Sequence, residues 1–146
     1  MTTPAALQRI RRIAHGFDQP DDREWIAAAL RRYLAAADDG LSIEDALELT
    51  APARAMPWWR VDALARRDMA LCELARVFYP SPSLSQRAAG VYDALARYAR
   101  AEWPRDQRLE SMPVHYVGTP AELLFSAMKA HPEMLSERQV TRIVAK

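Results

Sequence analysis

Apolar residues recur at helical spacing along almost the whole chain, and breakers fall between the runs. Leu7, Ile10, Ile13, Ala14 and Phe17 mark a first stripe, opened by Thr3-Pro4 as cap and first helical position and closed by Gly16 and Pro20. Asp21 or Asp22 is the expected cap of a second helix. Its stripe is Trp25, Ile26, Ala29, Leu30, Tyr33, Leu34 and Ala37, and Gly40 is its expected C′ residue. Ser42 starts a short third helix. After the connector "APARAMP", a fourth helix runs from Trp59 or Val61 to Tyr79, where "PSPS" breaks it. Ser83 and Gln86 form the capping box of a fifth helix, which carries Leu84, Ala88, Val91, Tyr92, Leu95, Ala99 and Trp103 and stops at Pro104.

Residues 104–118 are looser, and "PVHYVG" leaves room for a short extended segment. Thr119-Pro120-Ala121-Glu122 opens the next helix, with Leu123, Leu124, Ala127 and Met128 on its apolar side. Ser136 and Gln139 box the start of the last, which turns Val140, Ile143 and Val144 inward. The expectation is an all-α, single-domain bundle (residues 1–146) of six or seven helices, with the second, fourth and fifth at its centre. A helix-turn-helix-like hairpin over 120–146 ends it. Short connections make sequential helices antiparallel neighbours.

Composition agrees with this reading and narrows the function. At 146 residues, one domain buries roughly 70% of its unfolded surface without metal or disulfide staples. The 20 basic and 19 acidic residues leave a formal net charge of +1, which argues against coating nucleic acid by charge alone. Cys72 is the only cysteine, so no internal disulfide forms. No apolar run approaches the ~20 residues of a membrane span, and the amino terminus lacks a signal-peptide pattern. The expected location is the cytoplasm.

Reactive chemistry is sparse. His15, His115 and His131 are isolated, no cluster has metal-ligand spacing, and the four glycines are too scattered to cradle phosphate. No catalytic residue, cofactor site or metal site is expected, and the reading favours a non-enzyme. On the fourth helix Cys72 reads as a packing thiol. Asp68 falls in the middle of the apolar face, between Leu64 and Leu71, and is expected to pair with an arginine from another helix.

Three surfaces could bind. In "MPWWR", Trp58 falls at the edge of the apolar face and Trp59 nearly opposite, since neighbours on a helix point about 100° apart. Trp59 then either folds back under the 51–57 connector or, with Arg60 and Arg66, anchors an interface. On the first helix, Arg11 and Arg12 share a polar face suited to phosphate. On the last, Arg138, Gln139 and Arg142 face outward, with side chains of the kind that read DNA grooves.

The stretches "DREWIAAALRRYLAAADDGLSIEDAL", "RVDALARRDMALCELARVFYP" and "LSERQVTRI" resemble small Arg/Ala-rich helical proteins of unassigned role, encoded by proteobacteria and their prophages. The resemblance implies a phage- or island-associated accessory protein. Two functions are therefore expected. One is a protein-interaction or assembly module, binding a partner or itself. The other is a small DNA-binding accessory protein that uses the carboxy-terminal hairpin.

Overall fold

The computed structural model describes residues 3–146, with side chains from residue 5 onward. The cap expected of the Thr3 and Pro4 side chains lies outside the described residues. All regular structure among the described residues is helical: α1 (Thr3–Ala14), α2 (Pro20–Ala36), α3 (Ile43–Ala46), α4 (Trp58–Phe78), α5 (Leu84–Ala101), α6 (Trp103–Asp106), α7 (Pro120–Ala130) and α8 (Glu137–Val144). The expected all-helical fold is present. None of these helices is long and apolar enough to cross a membrane.

Most boundaries follow local chemistry. Gly16 (φ +74°) and Gly40 (φ +92°) adopt the left-handed conformation open to glycine. Each closes a Schellman motif: Phe17 N–H donates to Arg12 O and Leu41 N–H to Ala36 O. Ser83 and Ser136 accept from the N–H groups of Gln86 and Gln139, and Gln139 closes the expected box. Gln86 instead accepts from the Ser81 hydroxyl, and at Thr119 no side-chain cap forms, Glu122 accepting from Gly118 N–H, so those two boxes do not close.

Other boundaries differ from expectation in their position or kind. Gln19, not Asp21 or Asp22, caps α2, because Pro20 takes the first turn, where no N–H is needed. The fourth helix begins at Trp58, since the N–H groups of Arg60 and Val61 donate to Pro57 O. Pro104 does not simply stop the fifth helix. The helix is interrupted at Glu102, and Pro104 lies in the first turn of α6, a helix the apolar periodicity does not announce. In place of an extended segment, Val114–Tyr116 form a 3₁₀ turn.

The chain gathers into two compact units, Met1–Val61 and Asp62–Lys146. In the first, α2 packs against α1 and α3. Ala6, Ala29, Ala46 and Leu49 are buried there, together with Asp22. Within this unit α2 is the helix on which the others gather. Leu30 and Leu34 of its stripe are exposed, because α1 and α3 cover only the strip around Asp22, Trp25 and Ala29.

In the second unit the core gathers on α5. Val91 and Leu95 belong to one buried cluster with Leu71 and Leu74 of α4, Leu124 and Phe125 of α7, and Val140 and Ile143 of α8. α8 packs chiefly on α5, its distant neighbour in sequence. Val140 and Ile143 are buried, and Val144 packs partly against the core. On α4, Leu71 and Ala75 are buried, whereas Cys72 and Phe78 are half-buried at the core's margin. Gly90 sits inside α5 with the Tyr79 ring against it. A Cβ there would come within 2.6 Å of the ring.

Candidate interaction surfaces

The start of α4 separates the two tryptophans. Trp58 is half-buried, and its indole N–H donates to Glu44 Oε1 at 3.1 Å, which ties it to α3. Trp59 is 58% exposed. The fold-back under the connector is not what forms: the helix is already regular at Trp59 and turns its indole outward. Met56, Arg60 and Val61 beside it are also exposed. Arg66 is held by Asp62 one turn earlier, at 3.0 Å.

The basic face expected on α1 is largely committed inside the chain. Arg12 donates through Nε and Nη2 to both oxygens of Asp22, at 2.8 and 2.6 Å. This fork-to-fork pair leaves little of the guanidinium for phosphate. Asp22 also accepts from Gln19 N–H at 3.2 Å. The Arg12 hydrogen bonds, helped by Gln19 and the nearby Arg9, outweigh burial and hold the Asp22 carboxyl down at about 2. Arg9 stacks over the Trp25 ring, 5.7 Å from its centroid. Arg11 is half-buried.

On α8, Gln139 is partly spent on structure. Its Oε1 accepts from the N–H and hydroxyl of Ser136 at 2.8 and 3.0 Å. The box on the helix end engages the Gln139 carbonyl oxygen and leaves its side-chain NH2 to face outward. Arg138 and Arg142 are exposed. Among the described residues neither meets a carboxylate.

Asp68 also differs from expectation. It accepts from its neighbour Arg67 at 2.9 Å and from Lys146, past the end of α8, at 3.1 Å, not from an arginine of another helix. The reason is position: Asp68 lies at the margin of the apolar face, within reach of a flexible ammonium. Cys72 donates its S–H to Ile143 O at 3.2 Å, and burial pushes its pKa up. That suits a packing thiol rather than a nucleophile. His131 stands 2.9 Å from Glu133. Among the described residues no group of three His, Cys, Asp or Glu side chains could hold a metal ion.

The most developed polar cluster has no counterpart in the sequence pattern. Asp106, fully buried, accepts from Tyr116 OH at 2.7 Å, Tyr98 OH at 2.9 Å and Arg105 Nε at 2.8 Å. Burial alone would raise its carboxyl, but the bonds from Arg105, Tyr116 and Tyr98 together outweigh that and lower it. The cluster joins α5, α6 and the 3₁₀ turn. Comparison with protein families, with curated proteins and with solved structures finds no match.

Proposed function

We propose that this chain is a non-enzymatic interaction or assembly module that holds a protein partner, or a second copy of itself, through Trp59. The supporting observation is the exposed indole at the start of α4, beside a tryptophan that is tethered. An exposed indole does nothing for the fold, whereas aromatic side chains of this size dominate binding energy at interfaces. As the resemblance of its helices implies, the proposed setting is a prophage- or island-associated accessory protein in the cytoplasm. Trp59→Ala tests the reading. Folding stability should change by less than about 0.5 kcal/mol, while self-association in sedimentation, or partner capture, is abolished. Unchanged association at full stability would place the anchor elsewhere.

A second reading, duplex DNA binding through α8, is favoured by one observation: Arg138 and Arg142 are exposed and meet no carboxylate among the described residues. Their double replacement by alanine should weaken binding and flatten its salt dependence, by about one unit of slope for each phosphate no longer engaged. Equal binding by the variant would exclude it.

A further inference from the structure

The second unit contains a cavity of about 340 Å³ whose lining includes Tyr79, Tyr98, Tyr116, Leu124, Arg97 and Glu102. That is within the size range of small-molecule pockets, and apolar and aromatic walls with a few polar groups are their usual make-up. Two of the rings are locked in place. Tyr98 and Tyr116 are nearly fully buried, and both hydroxyls are committed to Asp106. Swinging either side chain out of its place would break a buried hydrogen bond to a carboxylate. Burial and that bond also push the Tyr98 pKa up, so its ring stays neutral. The third ring, Tyr79, rests on Gly90.

The charges on the lining are open. Arg97 and Glu102 meet no oppositely charged side chain among the described residues, and they do not pair with each other across the cavity. The Glu102 carboxylate lies close enough to Tyr98 to add to the rise in its pKa. The lining therefore offers phenol rings, two of them with their hydroxyls fixed, one available carboxylate and one available guanidinium. A neutral apolar guest would leave both charges unmatched. A simple anion would face Glu102. Phenol faces attract cations, most of all those with an alkylated, weakly hydrated surface.

We propose that this cavity binds a small zwitterion whose cationic end is an alkylated ammonium, with Glu102 and the tyrosine faces taking the ammonium and Arg97 taking the carboxylate. The proposal does not rest on the Trp59 reading.

Calorimetric titration of the full chain tests the proposal with three probes. These are glycine betaine, tetramethylammonium (the cation alone) and 3,3-dimethylbutyrate (the same shape with carbon in place of nitrogen). Betaine should bind one to one, and the carbon analogue about tenfold more weakly or worse. Glu102→Gln should weaken betaine and tetramethylammonium alike, by about tenfold. Arg97→Gln should weaken betaine and leave tetramethylammonium unchanged. Thermal melts of both variants check the fold. If Glu102→Gln melts early, the Arg97 variant and the carbon analogue still decide. No saturable betaine binding, equal binding of betaine and its carbon analogue, or an Arg97→Gln variant that binds betaine like the parent would overturn the proposal.

Discussion

Residues 1–61 and residues 62–146 share a vocabulary of alanine, leucine and arginine but bury different things. The second unit buries large side chains from four helices, Leu71, Leu74, Leu95, Phe125 and Val140 among them. The first buries mainly alanines and Leu49, while Phe17 (77%) and Leu34 (79%) stay exposed. Directed hydrogen bonds join its pieces instead: Arg12 to Asp22, Arg32 to the carbonyl of Ala46 at 2.6 Å, and Trp58 to Glu44. One unit is held by volume, the other by pins. Removing methyl groups should therefore damage the second, and removing hydrogen-bonding atoms the first.

The largest effect belongs in the second unit. Leu95→Ala should cost about 2–5 kcal/mol in denaturant melts, since a fully buried leucine leaves a cavity. A loss below about 1 kcal/mol would mean that this core relaxes freely and the contrast fails. Asp106→Asn asks whether the second unit is also pinned. Weakened bonds to Tyr98, Tyr116 and Arg105 should cost about 1–3 kcal/mol. No change would make the cluster a passenger of the packing around it.

Next in size come the pins of the first unit, read through pH. Its Asp22 carboxyl is held at about 2, below the ordinary value near ~3.9. A lowered carboxyl stabilises the folded chain fully above about pH 4, and that contribution is lost as pH falls through about 2. Asp22→Asn should lower the first unit's melting temperature at neutral pH and flatten its dependence over that acid range. An unchanged acid profile would show that another carboxylate carries it. The smallest effect is Leu34→Ala, expected within about 0.5 kcal/mol of the parent. A core-sized loss there would show that Leu34 is covered in solution.

Local signals in the sequence carried the helices well. Caps such as Ser83 and Ser136, and C′ glycines such as Gly16 and Gly40, act over four to six residues, and the chain shows them directly. Burial did not follow so closely. The stripe of α2 predicts an apolar face through Leu34, but periodicity says only that such a face exists. It does not say whether any element lies over it. The Asp106 cluster was illegible for a related reason. Tyr98 lies eight residues before the aspartate and Tyr116 ten after, and no spacing rule joins residues across the break at Glu102 and a 3₁₀ turn. Trp59 was legible as a choice between two fates, and the first turn of α4 removes one of them, the fold-back under the connector.

Gly90 has a consequence for anyone who would redesign this chain. By propensity, a glycine within an eighteen-residue helix is the first candidate for replacement, since alanine there is worth roughly 0.5–1 kcal/mol in an exposed helix. Here the added methyl would strike the Tyr79 ring at 2.6 Å. The ring would have to move, and it is a wall of the tyrosine-lined cavity. The substitution that improves the helix thus remodels the cavity, and a consensus-style stabilising screen would register that change only as a disappointing melting temperature.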